Sequence, residues 1–232
     1  NNIHKINSIF SKKNFVNIDP PLIPILNEKN IPIDLLSKEE ATFLPNQKRK
    51  KEKKPNVLLL GGAGYIGSIL TKELLNKNLN VTVFDKFIYI NKKKFKSLIK
   101  NKNLRCVEGD SRHINEIFDV IKEADVVVHL AEMVGDPLCE QRPEKTFAIN
   151  YLASVNIATI CKNLGIEKFI YISSCSVYGS NTSPKLLDEN SIINPLSIYA
   201  KLKSICEKAI ISNYSSLYKP CILRLGTVLD YH

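Results

Sequence analysis

No apolar run in these 232 residues approaches the ~18 that a membrane-crossing helix needs. The N-terminus lacks the basic-then-apolar order of a secretory leader. No two of the six cysteines, Cys106, Cys139, Cys161, Cys175, Cys206 and Cys221, form a C-x-x-C pair. That spacing argues against a zinc ribbon, a dithiol redox motif or any cysteine-based metal site, and reduced thiols in a cytoplasmic protein are the expectation. No internal repeat is present, which removes solenoids and propellers. With 44% hydrophobic and 24% charged residues, the chain can bury a good-sized core and remain in water.

Acidic charge is scarce relative to basic: Lys+Arg number 33 against 23 Asp+Glu, a net charge of +10. Residues 1–54 hold 11 Lys+Arg and 6 Asp+Glu, half of that excess. Lysine, asparagine and isoleucine are abundant throughout, a bias that an AT-rich coding sequence produces. The basicity is therefore assigned to composition, and no nucleic acid or membrane partner is expected. Residues 1–54 show no clear period. Pro20, Pro21, Pro24 and Pro32 interrupt short apolar pieces, and Ser37-Lys38-Glu39-Glu40 reads as a capping box opening a short helix. Lys48-Arg49-Lys50-Lys51-Glu52-Lys53-Lys54 reads as a solvated linker. Residues 1–54 are thus expected to be an irregular basic extension, and 55–232 a domain.

What the chain does have is concentrated in Val57-Leu58-Leu59-Leu60-Gly61-Gly62-Ala63-Gly64-Tyr65-Ile66-Gly67. The unbroken run Val57 to Leu60 predicts a strand buried on both faces, followed by a glycine turn and a helix opening near Tyr65. Gly61 and Gly64 permit a tight turn and close approach to a pyrophosphate. Gly67 lets the helix pack on the strand, and the helix N-terminus offers unpaired N–H groups to an anion. A second strand ends at Asp85, 24 residues after Gly61, near the offset at which a carboxylate takes the adenosine ribose hydroxyls. Asp85 opposes a 2′-phosphate, which favours NAD over NADP; Lys86 tempers that preference.

From Pro55 strands and helices alternate. Strands are expected at 57–60, 81–85, 104–110, 124–130, 168–173 and 221–225, with helices to about 77 and near 92–101, 113–123, 143–164 and 196–212. Alternation with doubly apolar strands predicts an α/β fold, a doubly wound parallel sheet covered by helices on both faces.

The fifth strand runs into Ser173-Ser174-Cys175-Ser176-Val177-Tyr178-Gly179, and a loop later comes Tyr199-Ala200-Lys201-Leu202-Lys203. Tyr199 and Lys203 are four apart and share one helix face. An ammonium beside a phenol favours the phenolate and lowers its pKa toward the range of a general base. A serine hydroxyl opposite, Ser174, can hold the substrate oxygen in line. Tyr89 and Lys93 show the same spacing, but after the second strand, at the adenosine end, where no such chemistry belongs. Tyr89 is expected to be a surface residue.

Taken in order, Gly61–Gly67, Asp85, Gly109-Asp110, His129-Leu130-Ala131, Asn150, Ser174 with Val177-Tyr178-Gly179, Tyr199 and Lys203, and Leu223-Arg224-Leu225-Gly226-Thr227 resemble the extended short-chain dehydrogenase/reductase family, the nucleotide-sugar epimerase and dehydratase group. The resemblance covers residues 55–232 and implies an NAD-binding Rossmann fold with catalytic Ser174, Tyr199 and Lys203. It implies that Gly61, Gly64, Tyr65, Ile66, Gly67 and Asp85 hold the cofactor, that Asp110 contacts adenine, and that Ala131 lines the nicotinamide side. Asn150 would help position the cofactor, and Lys203 would also hold the nicotinamide ribose. The family continues past the sixth strand into a substrate domain, so the chain is expected to be truncated before it and to be a homodimer when whole.

Dehydratases resembling this chain carry an Asp-Glu pair directly after the catalytic Ser or Thr, where this chain has Cys175 and Ser176. Dehydration is therefore disfavoured. Glu132, Cys175, Ser176 and Thr227 are candidates for the substrate side. Two readings stand for Glu132, orienting a sugar hydroxyl or capping a backbone amide, and two for Cys175 and Ser176, acid/base work or packing. The function that the resemblance implies is an NAD-dependent nucleotide-sugar epimerase, most simply a 4-epimerase. Its alternatives are a keto-sugar reductase or dehydrogenase, and a non-catalytic NAD-binding sensor or scaffold.

Overall fold

A computed structural model describes residues 23–26, 32–36, 54–180 and 186–229. The chain forms two compact units, Asn1–Asn46 and Gln47–His232. In the first, β1 (Ile23–Leu26) and β2 (Pro32–Leu36) pair antiparallel, with Ile23 opposite Leu36. The short apolar pieces between the prolines are therefore strands of a hairpin rather than irregular chain. The capping box at Ser37 and most of the basic run before Lys54 lie outside the described residues.

The second unit is built on β3 (Asn56–Leu60), β4 (Asn80–Asp85), β5 (Leu104–Glu108), β6 (Val126–His129), β7 (Lys168–Ser174) and β8 (Lys219–Leu225). They form one sheet in the order β5-β4-β3-β6-β7-β8, every neighbouring pair parallel. Side chains alternate across a strand, so the apolar run of β3 supplies both faces. Leu58 and Leu60 join one core with Phe84, Val127, Phe169 and Tyr171, while Val57 and Leu59 join another with Val81, Val83 and Phe95. Leu58, Leu59 and Leu60 are fully buried, each contributing about 2 kcal/mol.

The helices follow the alternation. α1 (Tyr65–Asn76) and α2 (Lys92–Leu98) give Leu75 and Phe95 to the second core. α3 (Ile114–Ile121), α6 (Ser154–Asn163) and α7 (Ile198–Ile211) give Ile117, Ile157 and Ile210 to the first. Caps fix the starts: Asn91 Oδ1 accepts from Lys94 N at 2.9 Å before α2, and Ser197 Oγ accepts from Ala200 N at 3.2 Å before α7. The helix expected over 143–164 is α5 (Pro143–Thr146), a π-helical segment Phe147–Ala153, and α6. Between β6 and α5 lies a further short helix, α4 (Asp136–Gln141), with Pro137 in its first turn. Among the described residues no helix is long and apolar enough to cross a membrane.

Chain order reverses at β3, which has β4 on one side and β6 on the other. The crevice beyond the C-terminal ends of these two strands is where an open parallel sheet binds ligands.

Candidate active site

The glycine turn stands in that crevice. Gly61 closes β3 with φ 82°, and its N–H donates to Phe84 O at 2.8 Å. A Cβ there would lie 2.7 Å from Ala131 N, and one on Gly67 would lie 2.4 Å from Gly61 O. Both positions therefore demand glycine, the first for conformation and contact, the second for helix-to-turn packing. α1 begins after Gly64 without any side-chain cap, so its first N–H groups remain for an anion. Tyr65 is exposed and Ile66 half-buried at the start of that helix. A cleft lined by Gly61, Gly64, Asp85, Asp110, Ala131 and Lys145 runs past the turn. These features fit a dinucleotide pyrophosphate.

Asp85 ends β4, and each of its oxygens takes one backbone donor: Ala63 N at 2.9 Å and Phe87 N at 2.7 Å. Phe87 has φ 51°, and its ring is buried. Asp110 receives Lys86 Nζ at 2.7 Å, Arg112 Nε at 2.9 Å and Nη2 at 2.6 Å, and Arg112 N at 3.0 Å. Burial pushes its carboxyl upward, but Arg112 and Lys86 more than offset this and hold it well below the usual range. Sequence reading noted Lys86 only as a neighbour of Asp85 and missed Arg112. Tyr89 is 89% exposed and precedes the Asn91 cap, so it does not share a helix with Lys93. It lines the cleft near Asp85 and Asp110.

Across the crevice, Ser174 is the last residue of β7, and Tyr199 and Lys203 stand one turn apart on α7. Ser174 Oγ accepts from Ser176 Oγ at 2.9 Å and Ser176 N at 3.1 Å, and its hydroxyl is near enough to the Tyr199 phenol to favour the phenolate. Lys203 is buried, donates to Ile172 O, and pairs with Glu132 Oε2 at 2.5 Å. Glu132 Oε1 accepts from the Tyr171 hydroxyl at 2.7 Å. This corrects both readings of Glu132: its carboxylate faces Lys203 and Tyr171 inside the protein rather than a sugar hydroxyl or a backbone amide. Burial raises its pKa, opposed by Lys203 and Tyr171. The expected lowering of Tyr199 is also corrected. Burial first and the Glu132 charge second push the phenol above its ordinary value, and the Ser174 hydroxyl opposes them.

Asn150 is buried in the π-helical segment, and its amide is spent on one residue: Met133 N donates to Oδ1 at 2.9 Å, and Nδ2 donates to Met133 O at 2.8 Å. It fixes the loop after Ala131, so any effect on a cofactor passes through that loop. The widened helix turns the Asn150 carbonyl toward Cys206 Sγ, 3.0 Å away. Cys175 is exposed and lines a separate groove with Tyr178, Glu207 and Arg224. Thr227 is exposed beyond β8, and among the described residues no hydrogen bond or ion pair joins it to Ser174, Tyr199 or Lys203.

Sequence reading gave no role to Arg224, which braces this half. Arg224 Nη2 meets Glu207 Oε2 at 2.8 Å and Nη1 meets Tyr178 Oη at 2.9 Å, while the Ser173 hydroxyl donates to Glu207 Oε1 at 2.5 Å. The clasp ties β8, α7 and the turn after β7 around the strand end that carries Ser174. Among the described residues no cluster of three or more His, Cys, Asp or Glu could hold a metal ion.

Residues 57–231 match the NAD dependent epimerase/dehydratase family. The chain is 33% identical over 176 residues to the D-erythronate dehydrogenase of Haemophilus influenzae, covering 74% of this chain and 54% of that protein. It is 32% identical over 183 residues to the dTDP-D-glucose 4,6-dehydratase of Dictyostelium discoideum, covering 72% and 42%. Among solved structures, the UDP-N-acetylglucosamine 4-epimerase from Methanobrevibacter ruminantium M1, in complex with UDP-N-acetylmuramic acid, matches with a TM-score of 0.66 at 30% identity, covering 74% of this chain and 55% of that one. The chain spans about half the length of these relatives.

Proposed function

The chain belongs to the NAD dependent epimerase/dehydratase family, and from that premise we propose that it works as an NAD-dependent nucleotide-sugar epimerase, most simply a 4-epimerase. Residues 55–232 serve as the catalytic domain and 1–54 as a separate extension. The observation that carries this reading is the convergence of Ser174, Tyr199 and Lys203 beside a glycine turn at the reversal of the sheet.

The residues divide the work by position. The uncapped start of α1 and the turn at Gly61 hold the pyrophosphate, and Asp85 takes ribose hydroxyls with the oxygen lone pairs left over from its two backbone bonds. Ser174 orients the substrate hydroxyl, and Tyr199, as phenolate, removes its proton. NAD, held by the turn and Asp85, would supply reversible hydride acceptance. Tyr199 then gives the proton back to the oxygen of the inverted centre, so no proton is released overall.

The 4-epimerase reading draws support from the epimerase of Methanobrevibacter ruminantium M1. A second reading, a net dehydrogenase or reductase, is favoured by the 33% identity to a D-erythronate dehydrogenase. Dehydration has less support, despite the dehydratase relative, because elimination needs its own acid and base after the serine. Here Cys175 is exposed and the Ser176 hydroxyl is bonded to Ser174.

The test is incubation of the purified protein with a panel of UDP- and dTDP-sugars, followed by NMR. Appearance of the C4 epimer with no net NADH supports the proposal. Stoichiometric accumulation of NADH replaces it with the dehydrogenase reading.

A further inference from the structure

Glu132 and Lys203 bring two opposite charges deep into the protein, with side chains 2% and 4% exposed and Nζ 2.5 Å from Oε2. The fully buried Tyr171 donates to the other carboxylate oxygen at 2.7 Å. Lys203 Nζ lies 4.6 Å from the centre of the Tyr171 ring and 5.6 Å from that of Tyr199. Burying a carboxylate carries a desolvation cost that a small side chain at this position would not. We propose that Glu132 is a positioning residue that acts through Lys203: it holds the ammonium beside the Tyr199 ring, cancels its charge, and so governs when Tyr199 can serve as the base. This rests on Tyr199 being the base of the proposed reaction.

The groups facing the pair come from every element around it. His129 of β6 is buried and shares a 2.8 Å hydrogen bond with Ser154 of α6. β7 supplies Tyr171 and Ser174, and α7 supplies Lys203 and Cys206; Asp136 and Cys139 of α4 act on Tyr199 from the far side. Lys203 is the cation of this set, and Glu132, Asp136 and Glu207 are its acids, the last of them paired with Arg224. While the carboxylate holds the ammonium 2.5 Å away, burial and the Glu132 charge are the largest influences on Tyr199, and both raise it. Remove the carboxylate charge, and the ammonium acts on the phenol.

Phenolate ultraviolet absorbance, titrated in the folded chain, reads this directly. Glu132→Gln should ionise one more phenol below about pH 11 than the wild type does, and Glu132→Gln/Tyr199→Phe should lack it. Equal titration of the two folded variants overturns the proposal. If Glu132→Gln does not fold, Glu132→Ala, in which water takes the space beside the ammonium, carries the same comparison; failure of both to fold reduces the pair to a structural role and also overturns it. The titration needs neither cofactor nor turnover. An absence of epimerisation in the wild type therefore counts against the proposed function alone.

Discussion

Each half of the sheet holds a carboxylate clamped by cations, and the two clamps behave in opposite ways. Asp110, in the half built on β3, β4 and β5, takes four donors from Lys86 and Arg112, and the Lys86 side chain is 53% exposed. Its pKa falls. Glu132, after β6, has one ammonium and one phenol, all deep inside, and its pKa rises. Ion pairing alone does not set the charge state; the balance of donors against desolvation does. The first half surrounds its carboxylate with several donors, one of them the exposed Lys86, while the second keeps both charges away from water, where small changes alter proton affinity.

The comparison breaks most severely at the cradle. Gly67→Ala puts a Cβ 2.4 Å from the Gly61 carbonyl. NAD affinity should fall by at least ~100-fold, about 2.7 kcal/mol, measured by calorimetry with a circular-dichroism check of folding. In the second half, acid should be the most revealing stress. Burial first and the Lys203 charge second lower His129 from 6.5 to about 3. The unfolded histidine takes a proton that the folded one refuses, so stability present above pH 6.5 is lost as pH falls toward 3, by up to ~4 kcal/mol. Urea unfolding at neutral and acid pH should show this loss, and His129→Phe should flatten it. Arg224→Met leaves Glu207 buried without its partner and should cost ~3 kcal/mol in the same assay, more than removal of the exposed Lys86 from Asp110. The smallest effect belongs to Tyr89→Phe. Its 89% exposed hydroxyl predicts turnover within about twofold of wild type.

The two halves also differ in how far they could be read in advance. The turn at Gly61–Gly67 is local: a positive φ and a 2.4 Å approach dictate residue type at fixed spacing, so backbone geometry is written into adjacent letters. Doubly apolar strands and alternation foretold the parallel sheet for the same reason. Tyr199 and Lys203 were found because four residues of helix is a local distance. Glu132 meets Lys203, and Arg224 meets Glu207 and Tyr178, only because β6, β7, α7 and β8 are brought together by the fold. No spacing announces such pairs, and a glutamate after Ala131 gave no sign of which way it would turn. The short helix at Asp136 was missed despite Pro137 at its start, because six residues are too few to show a period.

The central claim, that Tyr199 is the base of a reversible hydride-transfer epimerisation, meets its most direct test in one variant. In Tyr199→Phe, NMR of a UDP-sugar that the wild type epimerises should show turnover lowered by at least ~100-fold, with NAD affinity within about threefold of wild type. Epimerisation at the wild-type rate in that variant would contradict the account.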